Sequence, residues 1–282
     1  MKKDGLTLTM VFLAESANYG EGVGNITTLK KMTRGDYQQY SYISRQAIRY
    51  NLVQQLNWDD TPVDGKSGVV QFAPSATIKE YPEIDLFGYM KTMAKDDNAR
   101  GGASTRSAVA RLSNAISLEP YQGELEFLTN MGLAKRQNLD NGIAQSEIHR
   151  SYYAYTISVD LDRVGIDGEI NVSKEEKAKR VKTLLETVQY LYRDIRGRRE
   201  NLSPLFIIGG NYERKNPFFE PYNTPHDTVP FDRIALDDYE EAFMEGIRRD
   251  DEEIEKTVNN PEEPTFENTI VRIDNEKGNH YY

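Results

Sequence analysis

The sequence predicts an α+β fold in which helices pack against a sheet, and three observations carry that reading. Apolar residues alternate over Gly5–Ala14, a β-branched and aromatic run fills Tyr152–Leu161, and two stretches between and after them repeat apolar residues at helical spacing. The 282 residues are 38% hydrophobic and 28% charged, enough for one large or two small globular domains with a real core.

Leu6, Leu8, Met10 and Phe12 give the opening strand one strongly apolar face, and Val11 and Leu13 make its other face partly apolar, so it reads as a central strand. A Gly- and Asn-rich loop, Asn18–Asn25, comes next. Ser44 then caps a helix whose buried face is Ala47, Ile48, Leu52, Val53 and Leu56, with Arg45 and Arg49 one turn apart on its other face. Lys66–Ala73 reads as a short strand. From Pro74 to about residue 150 the periodicity loosens, which predicts a large insertion (about 74–150).

After the strand over Tyr152–Leu161, Asp167-Gly168 marks a turn. Ser173 and Glu176 form a capping box for a helix reaching Arg196, with Val181, Leu184, Leu185, Val188, Leu191, Tyr192 and Ile195 inward and Gly197 as its stop. Pro204–Gly210 reads as a final buried strand. The order strand, helix, strand, insertion, strand, helix, strand matches the split βαβ, ferredoxin-like arrangement. That arrangement hosts RNA binders and enzymes alike, so it names no function.

Beyond Asn216 the texture changes. Pro217, Pro221, Pro225 and Pro230 predict an extended connector, and Tyr239, Phe243, Ile247, Ile254 and Val258 predict a helix over Asp237–Val258. The chain therefore divides into 1–216 and an acidic, mostly helical appendage over 217–282. The whole chain holds 35 Lys+Arg and 45 Asp+Glu, a net of −10. Residues 216–282 hold 6 basic and 18 acidic residues, net −12, which leaves 29 basic and 27 acidic residues, net +2, for residues 1–215. The first part is thus free to present a basic face to a polyanion.

Zero cysteines exclude a disulfide scaffold, a thiolate zinc site and a cysteine nucleophile. No apolar stretch approaches the ~20 residues that cross a bilayer, and the first residues lack a secretory signal pattern, so the expectation is a cytoplasmic protein without a membrane partner. The three histidines, His149, His226 and His280, share no metal-ligand spacing, and neither His-Glu-x-x-His nor Gly-x-Ser-x-Gly occurs. No cofactor or metal is expected. Gly20, Gly22 and Gly24 lack the dinucleotide spacing; they read either as a loop that admits a polynucleotide backbone, with Asn18 and Asn25 as donors, or as a structural turn. Lys30, Lys31, Arg34, Arg45 and Arg49 are typed to contact successive phosphates, against the alternative of a solvated face. Arg193, Arg196, Arg198 and Arg199 are read as cations at a helix C-terminus. Asp59-Asp60 and Asp96-Asp97 read as solvated turns.

Several ordered blocks carry a family resemblance: Ser16–Gly20 with Gly24-Asn25, Ser44–Ile48, Asp85–Tyr89, Ala115–Pro120 and Ile208–Gly210 through Asn216. Over about residues 4–216 the chain resembles the DevR-type CRISPR-associated backbone subunit of type I-B Cascade complexes. The resemblance implies an RRM-like palm with an inserted thumb and finger region. It implies a non-catalytic subunit that polymerises along the spacer of a CRISPR guide RNA, beside copies of itself and other Cascade subunits, and presents the guide to target DNA. The candidate RNA-binding set is then Asn18, Asn25, Lys30, Lys31, Arg34, Arg45 and Arg49, with Lys91, Arg106 and Arg111 from the insertion. Related backbone subunits imply a competing reading as a metal-dependent ribonuclease using Asp96 or Asp97. The subfamily's naming implies another, a transcriptional autoregulator. Residues 217–282, through Tyr239–Phe243, Asn259–Pro261 and Pro264–Ile270, resemble the N-terminal segment of dipeptidyl carboxypeptidase-type zinc oligopeptidases. The zinc motif and catalytic part are missing from it.

Overall fold

The computed structural model describes residues 4–35, 37–65, 68–93, 102–217 and 219. Apart from Pro217 and Phe219, the appendage predicted over 217–282 lies outside the described residues, as do Asp96 and Asp97.

The centre of the fold is a seven-stranded sheet. Its long members are β1 (Gly5–Ala14) and β14 (Ser151–Asp160), paired antiparallel along their whole length from Gly5 opposite Asp160 to Ala14 opposite Ser151. Around them lie β4 (Lys31–Thr33), β5 (Gln39–Ile43), β10 (Ala110–Leu112), β11 (Ala115–Ser117) and β19 (Phe206–Tyr212). The order is β19-β1-β14-β11-β5-β4 with β10 also on β14, and every pair is antiparallel. The opening strand is central, as its apolar faces predict.

Two helices cover one face. α1 (Arg45–Leu56) starts where predicted, with Ser44 Oγ accepting from the Ala47 N–H, and buries Ile48, Leu52, Val53 and Leu56. α4 (Lys174–Gln189) starts on Ser173, whose Oγ accepts from the Glu176 N–H, and buries Leu184 and Val188. Both helices press on Leu6, Leu8, Met10 and Phe12 of β1 and on Tyr153, Tyr155, Ile157 and Val159 of β14, in one cluster. Phe12 stacks on Tyr153 at 5.9 Å and meets Tyr155 edge-on at 5.7 Å. Each fully buried aliphatic or aromatic side chain of this layer contributes about 1.5–3 kcal/mol.

Four expectations change. Asn18–Asn25 is not a loop: β2 (Tyr19–Val23) and β3 (Ile26–Leu29) form a hairpin turning at Gly24-Asn25, and they join β12 (Glu124–Thr129) and β13 (Ile143–Ile148) in a second sheet ordered β12-β13-β3-β2. Among the described residues of Lys66–Ala73, none joins the central sheet. Of these only Gln71-Phe72 (β7) is extended, paired with Val63-Asp64 (β6), while Val69 and Val70 are exposed. Its place beside β14 belongs to β10 and β11, inside the stretch read as an insertion, which also contributes α2 (Pro82–Phe87), the hairpin β8 (Tyr89–Met93) and β9 (Gly102–Arg106), and α3 (Met131–Ala134).

The second helix stops at Gln189, short of Arg196. Past a hairpin of β15 (Ile166-Asp167) and β16 (Ile170-Asn171) before α4, the chain makes another after it, β17 (Tyr192–Ile195) with β18 (Arg198–Asn201). Arg196 at φ 49° and Gly197 at φ 76° form its two-residue turn, the conformation a right-twisted hairpin needs. Cross-strand Arg193–Glu200 and Asp194–Arg199 pairs hold it. Finally, β19 is half-buried at the sheet edge and not enclosed. Among the described residues no helix is long and apolar enough to cross a membrane.

Candidate nucleic-acid interface

Period-two alternation gives β1 and β14 a second, polar face. Thr9 Oγ1 lies 2.7 Å from Thr156 Oγ1, and Thr7 Oγ1 lies 3.4 Å from Ser158 Oγ. At the side of this face the break between β10 and β11 leaves a concavity of about 380 Å³ lined by Arg45, Arg111, Asn114, Ser158, Lys215 and Pro217, with Ser113 and Thr156 also in its wall. Among the described residues no aromatic side chain lines it.

Local geometry fixes each member. Ser113 Oγ accepts from the Thr156 N–H at 2.9 Å, and Asn114 Oδ1 accepts from the Arg45 N–H at 2.9 Å. The first turn of α1 therefore abuts the concavity and turns the positive end of the helix toward it. Arg111 forks onto Asp160, Nη1 to Oδ1 3.0 Å and Nη2 to Oδ2 2.9 Å, and Arg163 adds a bond at 3.2 Å. Burial disfavours the charged Asp160, yet the Arg111 fork, with Arg163 and the charge of Lys215, outweighs it and holds the carboxyl below its ordinary range. The same bonds raise Arg111. Lys215 pairs with Asp162. Arg45 is exposed, and no described residue pairs with its guanidinium. Among the described residues, the four cations Arg45, Arg111, Arg163 and Lys215 stand against the two carboxylates Asp160 and Asp162, with hydroxyl and amide groups between: a surface suited to an anionic backbone.

Of the residues proposed from sequence, the structure brings Arg45 and Arg111 together here. Arg49 turns to α2, 3.6 Å from Glu83 and over the Phe87 ring, and burial lowers its pKa despite Glu83. Asn18 is a brace: its Oδ1 accepts from the Ser44 N–H, and its backbone links Tyr42 and Lys30. Asn25 sits in the β2–β3 turn, its carbonyl accepting from Gln145 N–H. Lys31 is held by both oxygens of Glu147 at 2.8 and 2.7 Å over the Tyr121 ring. Arg34 lies on the Tyr40 ring, and Lys30 is half-buried between β3 and β4.

Lys91 and Arg106 point inward. Lys91 donates to the Ala76 carbonyl, and Arg106 ion-pairs with Asp85 at 2.6 Å, both nearly sealed from solvent. Each satisfies buried acceptors of the insertion. The arginines of β17–β18 are likewise engaged: Arg193 with Glu200, Arg198 with Glu15 at 2.8 Å, Arg199 with Asp194, and Arg196 over the Tyr19 ring.

Asn114, Ser158, Arg163 and Lys215 escape sequence reasoning. The hydroxyl alternation Thr7/Thr9 and Thr156/Ser158 is the signal that could mark this face. Among the described residues no group of three or more His, Asp or Glu could hold a metal.

A family described as CRISPR-associated negative auto-regulator DevR/Csa2 matches residues 6–226. A curated relative, the CRISPR-associated protein Cas7/Cst2/DevR of Myxococcus xanthus, is 27% identical over 164 residues, 50% of this chain and 52% of the relative, so the match spans about half its length. A dipeptidyl carboxypeptidase of Salmonella typhimurium is 39% identical over 59 residues, 21% of this chain but 9% of that enzyme, too little to carry over an activity. Among solved structures, a chain of a CRISPR RNA-guided surveillance complex, pre-nicking, superposes with a TM-score of 0.54 at 10% identity, covering 83% of this chain and 86% of that one, which speaks to the fold alone. With its match running through most of the chain and both walls of the basic concavity, the protein belongs to the DevR/Csa2 family of CRISPR-associated proteins.

Proposed function

We propose that this chain is a non-catalytic backbone subunit of a type I-B Cascade surveillance complex. It polymerises along the spacer of a CRISPR guide RNA, beside other Cascade subunits, and presents the guide for pairing with target DNA. The observation that carries the reading is the cationic concavity of Arg45, Arg111 and Lys215 at the first turn of α1. Its donors suit phosphate and ribose, and among the described residues its lining has no aromatic platform for bases. A subunit that must accept every spacer sequence needs such base-blind contacts and leaves base edges to the target.

Family membership supports this reading, and so does the sheet. Reading β10 and β11 as one strand, the order β19-β1-β14-β11 with α1 and α4 on one face supports the proposal of an RRM-like palm, in which the β12–β13 and β8–β9 hairpins would be the thumb and finger. The test is to copurify the full chain with guide RNA and digest with nuclease. Protection at regular intervals supports the proposal, and uniform digestion at low salt contradicts it. The family's description as a negative auto-regulator favours a second reading, transcriptional control, which requires specific binding to duplex DNA upstream of its own operon.

A further inference from the structure

The direction of the hydrogen bonds on the polar face of the sheet singles out one hydroxyl. A serine or threonine hydroxyl carries a single hydrogen and two lone pairs. The Asn216 carbonyl can only accept, so its 3.1 Å bond takes the one hydroxyl hydrogen of Thr7. In the 3.4 Å contact between Thr7 Oγ1 and Ser158 Oγ the donor is therefore Ser158. Its lone pairs stay open, and among the described residues no group donates to them.

The neighbouring hydroxyls differ. Thr9 and Thr156 face each other at 2.7 Å, both sealed from solvent. Ser113 is engaged twice, accepting from the Thr156 N–H and donating to the Asn114 carbonyl. Ser158 is half-buried and lines the concavity, so a ligand can reach it. An ionised phosphodiester has no hydrogen to give it.

Two neighbours decide which donor fits. Arg111 stands directly opposite Ser158 across β10 and β14, which puts the two side chains on one face with Cβ atoms about 5 Å apart. Asn114 lines the same concavity, and because its Oδ1 already accepts from the Arg45 N–H, its amide Nδ2 is left to donate. Cations for a phosphate thus lie beside an acceptor and a donor for a group that is both. On a nucleic-acid backbone that group is the ribose 2′-hydroxyl, which deoxyribose lacks.

We infer that Ser158, with Asn114, selects ribose over deoxyribose: Ser158 Oγ accepts from the 2′-hydroxyl and the Asn114 amide donates to it, while Arg45 and Arg111 take the adjoining phosphate. Every nucleotide carries the same hydroxyl, so the selection is blind to sequence. It rests on the RNA-binding function proposed above and assigns the choice of RNA to named side chains.

The test is the affinity of the full chain, and of Ser158→Ala, for single-stranded RNA and for the 2′-fluoro strand of the same sequence, in two unrelated sequences. The 2′-fluoro strand keeps the sugar pucker of RNA and removes the hydrogen that Ser158 accepts. The parent should bind RNA about fivefold more tightly than the 2′-fluoro strand, the worth of one hydrogen bond, and Ser158→Ala should bind the two alike. Equal binding by the parent, or a preference that survives Ser158→Ala, overturns the inference and leaves RNA binding at the concavity standing. A preference confined to one sequence also overturns it, because Ser158 would then be reading a base edge. An RNA affinity that ignores Arg45→Ala with Lys215→Ala places the strand elsewhere on the chain and overturns both.

Discussion

Asp85 and Arg106 close a buried ion pair, Oδ1 to Nη2 2.6 Å, where α2 meets β9. Arg180 of α4 reaches the other carboxylate oxygen at 2.8 Å, and the Gly165 N–H donates to both oxygens. One carboxylate thereby ties the insertion to the helical layer of the central sheet. Removing it strands two buried guanidinium groups, a loss of about 3–5 kcal/mol. Asp85→Ala should lower the midpoint of thermal unfolding by roughly 10 °C. A fall of a degree or two would mean that the arginines find water or other acceptors.

Gly209 and Gly210 are adjacent and unequal. Gly209 has φ 156°, and a Cβ there would collide with the Thr7 carbonyl oxygen and come within 2.8 Å of Leu8 Cα. At Gly210 the nearest atom is the Tyr212 hydroxyl at 3.6 Å. Gly209→Ala should destabilise by about 2–4 kcal/mol and Gly210→Ala by no more than about 0.5 kcal/mol, measured by urea unfolding. Equal effects would contradict the close packing of β19 on β1.

His149 is buried with Nδ1 2.8 Å from Ser41 Oγ, and its ring meets Tyr121 edge-on at 5.5 Å. Burial lowers its pKa, only partly opposed by the charges of Glu119 and Glu124. Below the ordinary value of 6.5 the unfolded chain binds a proton that the folded chain declines. Stability from this residue is therefore complete above that pH, falls as pH drops through it, and levels off once the folded ring also protonates. The decline between pH 7 and about 5 should be shallower in His149→Gln than in the parent. Parallel pH profiles would contradict it.

Much of the fold is legible in the sequence because strong local signals agree with the tertiary solution: alternation in β1, the Ser44 and Ser173 caps, and the Asp167-Gly168 turn. The end of α4 is not. Val188, Leu191, Tyr192 and Ile195 fit a helical stripe, while the deciding evidence is the positive φ of Arg196 with Gly197 and the pairing of Arg193 with Glu200 across a turn. β10 and β11 are three residues each, too short for a periodic signal, so the pattern points to Lys66–Ala73 for the second central strand instead. The site is legible in part. Arg45 stands out on a capped helix, but nothing in spacing tells that Arg111 borders a cleft while Arg106, five residues earlier, is consumed by Asp85. That difference is made by which buried carboxylate lies within reach, a long-range fact.

If the Arg45 concavity grips a polyanion without reading bases, losing its cations must weaken binding alike on unrelated sequences. The direct test is RNA affinity across a salt series for the full chain and for Arg45→Ala with Lys215→Ala, using two unrelated single-stranded sequences. The expected result is the same loss for both sequences and a log–log salt slope shallower by about 1.4, two single-strand phosphate contacts. Unchanged affinity and slope, or a loss confined to one sequence, would contradict it.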